Sequence, residues 1–104
     1  MSTEKVLTLM QRHVGRHNGI SAQRIAAELD MLDRQVRHIV AELRAEGIAI
    51  CGTPKTGYYI AATPDELEET CQFLRSRAMH SLHLESRLRK IPLPDLIGQM
   101  HLKT

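Results

Sequence analysis

Apolar residues recur every three or four positions in three successive segments of the first half of the chain. This spacing places them on one face of a helix and predicts helices over about residues 4–17, 22–29 and 33–46. The positions predicted to face a common core are Val6, Leu9, Met10 and Val14, then Ile25, Ala26 and Leu29, then Val36, Ile39, Val40 and Leu43.

Residues that suit helix ends separate these segments. Asn18-Gly19 is a stop signal, the Ser21 hydroxyl can accept a free N–H at the start of the second helix, and Gly47 suits the end of the third. Asp30 falls between the second and third helices, and aspartate tolerates the left-handed conformation better than most residues do. A tight turn is therefore expected at Asp30.

The pattern changes after Gly47. Residues 48–51 and 58–61 predict two short strands, joined by a glycine-bounded loop over residues 52–57. Because this loop is longer than a two-residue turn, it is expected to protrude. Tyr58 and Tyr59 alternate across the second strand, so one is expected to point inward and the other outward.

A long helix is predicted from Pro64 to about Lys90. Thr63 can cap its start, Pro64 suits the first helical position, and Glu66 completes a capping box. Pro92 and Pro94 are expected to end it, and residues 96–101 to form a last short helix that Asp95 caps. The sequence thus predicts one domain over residues 1–62 and a helical extension over residues 63–104.

Composition adds several exclusions. The 104 residues are 42% hydrophobic, and none of their apolar runs approaches the roughly 20 residues of a membrane helix. The first residues lack the apolar stretch of a signal peptide. A cytoplasmic protein without a membrane partner is therefore expected. Cys51 and Cys71 fit neither a disulfide framework nor a zinc signature, and both are expected to be small buried hydrophobes.

Four short motifs lie in residues 20–61: Arg24-Ile25-Ala26-x-x-Leu29, Arg34-x-Val36-Arg37, Leu43-x-x-x-Gly47-Ile48 and Gly57-Tyr58-Tyr59-Ile60. With these motifs the segment resembles winged helix-turn-helix DNA-binding domains of the biotin-repressor and DeoR type. The resemblance implies a mainly α fold with a small β-hairpin, here followed by a long C-terminal helix. It implies DNA binding, and nothing after Thr63 resembles the catalytic or sensor domains of the family.

Two positions depart from the family pattern. Asp30 stands where the family often has glycine, and Leu32 where it often has serine or threonine. The second departure would pass the cap to Asp33 and move the start of the third helix by one residue. The register of the side chains that face DNA depends on that start.

In this fold the third helix, residues 33–46, lies in the major groove, and the wing, residues 52–57, meets the backbone or the minor groove. Arginine can donate two hydrogen bonds to guanine and glutamine can pair with adenine. The alternative is that these arginines are only solvated charges. The predicted DNA-binding residues are Ser21, Gln23, Arg24, Asp33, Arg34, Gln35, Arg37, His38, Thr53, Lys55 and Thr56.

The long helix begins with acidic residues and ends with basic ones. This order suits the dipole of the helix itself, and it equally suits antiparallel pairing with a second copy. An apolar stripe on this helix favours a homodimer over packing within one chain. The predicted dimerisation residues are Leu67, Cys71, Leu74, Ala78 and Leu82.

The sequence gives little indication of metal binding, catalysis or a small-molecule effector. His13 and His17 are four residues apart but lack a third ligand, and His80, His83 and Glu85 are similar, so we expect neither a metal nor another cofactor. Motifs for catalysis do not stand out, and an enzyme is not expected. No small-molecule effector is indicated.

These features favour a small, dimeric, sequence-specific regulator of transcription, such as a repressor, of prokaryotic or phage-like design, with double-stranded DNA as its partner. Two alternatives remain open. One is an accessory protein of phage or plasmid DNA replication, packaging or partition. The other is a protein–protein adaptor that reuses the winged fold.

Overall fold

The computed structural model describes residues 2–100. Three helices come first, α1 (Ser2–Met10), α2 (Ala22–Leu29) and α3 (Asp33–Ala45), with a 3-10 turn at Arg16–Asn18. Strands β1 (Ile50–Thr53) and β2 (Gly57–Ile60) follow, and then helices α4 (Pro64–Arg89) and α5 (Leu93–Met100). The predicted class, mainly α with a small β-hairpin and a long C-terminal helix, is confirmed.

The chain divides into two compact units within α4, after Thr70. The first unit contains α1 to β2 and the first two turns of α4. The second contains the rest of α4 together with α5. Within residues 2–100, none of the helices is both long enough and apolar enough to cross a membrane.

The core of the first unit lies among α1, α2 and α3. Nine of the eleven predicted core positions are buried, joined by Ile20 and Ile50. Leu29 only packs against the edge of this core. The prediction was wrong for Val14, which is 43% exposed because α1 ends at Met10 and the chain then leaves the helical path. Val14 instead bridges to Ile60 of β2.

The end of α3 sets the start of the hairpin. Gly47 has φ +87°, and the N–H of Ile48 donates to the Leu43 carbonyl at 3.1 Å. Together with the bond from Gly47 N–H to the Arg44 carbonyl, this is the Schellman arrangement that satisfies the last helical carbonyls. It holds Ile48 against the helix, so β1 begins at Ile50, two residues after the predicted position.

The two strands are antiparallel, with Ile50 opposite Ile60 and Thr53 opposite Gly57. Only residues 54–56 therefore form the loop, which is tighter than predicted. On its other side, β2 pairs with the segment before α2: Ile20 and Tyr58 exchange both backbone hydrogen bonds at 2.8 Å. At Gly57, φ is +73° and an added Cβ would lie 2.8 Å from the Ile20 carbonyl carbon, so only glycine fits.

Helix α4 starts as predicted, with the Thr63 hydroxyl accepting from the Glu66 N–H at 3.2 Å. It ends at Arg89, and the next residue, Lys90, is left-handed with φ 58°. Helix α5 begins at Leu93, three residues before the predicted start, because Pro94 lies in the first turn, where its missing N–H costs nothing. The predicted end at His101 lies outside the described residues.

Candidate nucleic-acid interface

The start of α2 has the predicted cap. The Ser21 hydroxyl accepts from the Arg24 N–H at 3.2 Å, and Gln23 and Arg24 are exposed on the first turn. The remaining free N–H groups and the positive end of the helix dipole can hold a phosphate. At the other end of α2, Asp30 is left-handed (φ 53°, ψ 56°), as predicted for the turn into α3.

The start of α3 differs from the sequence-based expectation. The cap falls on the backbone of Leu32, and Asp33 is the first helical residue. The side chain that completes the cap is Gln35, whose Oε1 accepts from the Leu32 N–H at 2.8 Å. The expectation that Asp33 becomes the cap is therefore wrong, and Gln35, predicted to contact a base, holds the helix start. Its side-chain NH₂ group still has donors for a groove contact.

The exposed face of α3 carries two signs of charge. Arg34, Gln35, Arg37 and His38 are all exposed on the N-terminal half. One turn later, Glu42 accepts from His38 Nε2 at 2.6 Å. The cationic part of the predicted recognition helix is thus its first two turns, where helix-turn-helix proteins contact base edges.

Arg44 connects α3 to the hairpin, a role that the sequence pattern did not indicate. Its Nε donates to the Ile50 carbonyl at 2.7 Å, and its guanidinium carbon lies 5.7 Å from the centre of the Tyr58 ring. Tyr59 is buried, as predicted for one of the two tyrosines, but Tyr58 is partly buried against the core, so the prediction that the other points outward was wrong. Tyr58 packs beneath an arginine, which fixes the hairpin on α3.

Two of the three predicted DNA contacts of the wing, Thr53 and Thr56, use their hydroxyl groups for hydrogen bonds within the wing turn. The Thr56 hydroxyl accepts from the Thr53 N–H at 3.0 Å, and the Thr53 hydroxyl accepts from the Lys55 N–H at 3.3 Å. Both threonines are only partly exposed, whereas Pro54 and Lys55 at the tip are exposed. Lys55 is thus the cation that the wing presents.

Arg16 is a second residue whose position the local sequence did not reveal. Its Nη2 lies 2.7 Å from Glu69, and its backbone N–H donates to Glu66 at 3.0 Å. Hydrogen bonding to Tyr59 and the charge of Glu69 raise the pKa of Arg16. Donation from the backbone N–H groups of Arg16 and Ala62 lowers the pKa of Glu66. Within the first unit, this cation therefore ties the segment after α1 to the first two turns of α4.

The predicted dimerisation residues are uncovered in the single chain. Leu67 and Leu74 are each 42% exposed, Cys71 and Ala78 are exposed, and Leu82 is partly buried. Cys51 is buried, as expected, but the same expectation was wrong for Cys71. Within residues 2–100, no group of three or more His, Cys, Asp or Glu side chains can hold a metal ion.

The arrangement defines a class of fold. A helix-turn-helix (α2 and α3) leads into a hairpin that is fixed both to α3 and to the segment before α2, which is the winged helix-turn-helix order. Residues 1–50 match the family model described as Replication protein A C terminal, so the match covers α1 to α3 and stops at the first residue of β1. No curated protein and no solved structure matches the chain. The biotin-repressor and DeoR type stays a prediction.

Proposed function

We propose that this protein binds double-stranded DNA through α3 and the wing, and that it acts as an accessory protein of DNA replication. The observation that carries the DNA contact is the exposed N-terminal half of α3, where Arg34 and Arg37 lie without an ion-pair partner among residues 2–100. The match of α1 to α3 to a replication protein A family supports replication as the setting.

The proposed contacts divide by chemistry. Arg34 and Arg37 have the fork of donors that recognises guanine in the major groove. Lys55 at the wing tip and the capped start of α2, with Arg24, are suited to phosphate oxygens. Gln35 has a double role, because its oxygen completes the helix cap and only its NH₂ group is left for DNA.

A second candidate function is sequence-specific regulation of transcription. It is favoured by the type of side chain on α3, since arginine and glutamine carry base-specific hydrogen-bonding patterns that a purely backbone-binding protein does not need. A regulator of this kind would act by occupying its site.

The homodimer belongs to the same proposal. Leu67 and Leu74 on α4 are each 42% exposed, and a second copy of the chain would remove this apolar area from water. A two-fold dimer presents two copies of α3 to DNA and therefore reads a palindromic or nearly palindromic site.

The DNA contact is tested by the affinity of the full chain for duplex DNA, measured by fluorescence anisotropy at moderate salt. Arg34→Ala with Arg37→Ala is expected to weaken binding at least tenfold, since one lost bidentate contact is worth about 1–3 kcal/mol. The matched control, Lys5→Ala with Arg12→Ala, removes the same charge from α1 and the turn that follows it, and should change affinity much less. Equal effects of the two pairs, or an absence of duplex binding by the wild type, would reject the proposal and favour the protein–protein adaptor.

The two roles are separated by selecting bound duplexes from random sequence. Recovery of a two-fold-symmetric motif that the Arg34/Arg37 variant loses would establish the sequence-specific regulator. Duplex binding that depends on Arg34 and Arg37 but enriches no motif would support the replication accessory protein.

A further inference from the structure

The formal charge of the chain is distributed unevenly. Residues 1–62, the winged domain, have eight Lys and Arg against six Asp and Glu, a net +2; the first two turns of α4 add four acidic residues, so residues 1–70 carry a net −2. Residues 71–90 have five Lys and Arg against one Glu, a net +4. Affinity for a nucleic-acid backbone comes largely from cations that displace counterions from phosphates. The larger surplus of such cations lies in the second half of α4, outside the winged domain.

Three of these cations, Arg77, Arg87 and Lys90, lie along one side of the helix, with His80 and His83 between them. The five residues follow one another at intervals of three or four and are all exposed; we call this set the cationic face. Arg77 lies over the Phe73 ring at 5.8 Å, which holds its guanidinium in place. Glu85, the one acidic residue of this segment, pairs with Arg89 at 2.8 Å.

The remaining two arginines of the segment lie elsewhere. Arg75 and Arg89 share helical spacing with Cys71, Ala78 and Leu82, so they flank the apolar stripe, roughly on the opposite side of the helix. Pairing of two copies through that stripe leaves the cationic face uncovered. The helix dipole explains a preference for cations only in the last turn, and Arg77 lies more than three turns before the helix end.

We propose that the cationic face of α4 is a second nucleic-acid contact, which binds the phosphate backbone independently of sequence. From residue 77 to the helix end at residue 89 the helix rises about 18 Å, the length of roughly five base pairs of duplex. The inference deepens the proposed function and rests on it: the winged domain orients the DNA, and α4 adds phosphate neutralisation to the small positive charge of that domain.

The test is a salt titration of the affinity of the full chain for a mixed-sequence duplex of 20 base pairs. Arg77→Gln with Arg87→Gln removes two contacts, so the slope of log K against log salt should become shallower by about two, and affinity at 0.1 M salt should fall at least tenfold. Arg75→Gln with Arg89→Gln is the matched control, because it removes two arginines from the same turns of the same helix. The control should change affinity less than about twofold, on the rule that cations away from the interface contribute little.

The outcomes separate the two proposals. If Arg34→Ala with Arg37→Ala abolishes binding while Arg77→Gln with Arg87→Gln leaves the slope unchanged, the inference is wrong and the proposed function stands. If the second pair alone weakens binding, the cationic face is supported and the role of α3 fails. If both glutamine pairs weaken binding equally, the effect is one of net charge and the inference is rejected.

A membrane surface is the competing partner of an amphipathic basic helix. The wild type and the two glutamine pairs are therefore also measured against phosphatidylserine vesicles. Vesicle binding that Arg77→Gln with Arg87→Gln removes, together with an unchanged affinity for duplex, would overturn the assignment to nucleic acid.

Discussion

Gln35 should stabilise the fold of the winged domain, in addition to any role at the DNA. Its Oε1 is 2.8 Å from the N–H of Leu32, the residue that caps α3 and has no side-chain acceptor of its own. Replacing it by alanine leaves the first turn of α3 without this acceptor. We therefore expect Gln35→Ala to destabilise the protein in the absence of DNA.

The magnitude follows from the type of interaction. Loss of a side-chain cap costs about 0.5–2 kcal/mol, and a net protein hydrogen bond is worth about 1 kcal/mol. One kcal/mol corresponds to a Tm shift of about 4–8 °C in a domain of 60–100 residues. Gln35→Glu keeps the acceptor and adds a negative charge near the positive end of α3, so its Tm should match or slightly exceed that of the wild type.

The assay is thermal unfolding of the full chain followed by circular dichroism at neutral pH, for the wild type and both variants. Gln35→Ala should melt several degrees lower and Gln35→Glu should not. An unchanged Tm for Gln35→Ala, or equal losses for both variants, would refute the capping role. Because Gln35→Glu also replaces the NH₂ donors by a negative charge, it should remain folded and bind duplex more weakly.

Two further results are expected. Glu66→Gln should be less stable than the wild type at pH 7, and the difference in stability should close as pH falls below about 4.5. The reason is that the pKa of Glu66 in the folded protein lies below its ordinary value of 4.5, so the stabilisation is lost as the carboxylate is protonated. Urea unfolding from pH 7 to pH 3 measures the difference, and a difference that is constant with pH would contradict the prediction. Gly57→Ala should lower the free energy of unfolding clearly more than Gly47→Ala does. Both glycines have positive φ, but only the new Cβ at position 57 would meet the Ile20 backbone. In urea unfolding the Gly47 variant should lose about 1 kcal/mol, and equal losses for the two variants would count against a close approach at Gly57.

Helix ends show where local sequence is sufficient. Ser21 and Thr63 cap the helices that they are predicted to cap, because an N-cap depends on groups three residues apart. Asp30 is left-handed as predicted, because tolerance of that conformation is a property of the residue itself. The cap of α3 was assigned to the wrong residue. Leucine offers no acceptor, and the acceptor comes from Gln35, a residue whose chemistry suits a base contact equally well.

The contacts of two arginines, by contrast, could not be predicted from local sequence. Arg16 belongs to a basic-looking segment by sequence, yet it faces Glu69 across fifty-three positions of the chain. Arg44 is one of several exposed-looking arginines on α3, yet it packs on Tyr58. Neither contact has a local signal, because each depends on how the hairpin and the start of α4 fold back on the helices.

The sequence by itself determined the order of elements, the class of fold and nearly all of the core, since apolar periodicity and end-capping are properties of neighbouring residues. Only the tertiary structure decided which cations are available. It ties Arg16 and Arg44 into the fold, commits Thr53 and Thr56 to the turn of the wing, and leaves Arg34, Arg37 and Lys55 exposed. The physical reason is that availability depends on partners brought close by packing, whereas secondary structure depends mainly on the residues along the chain.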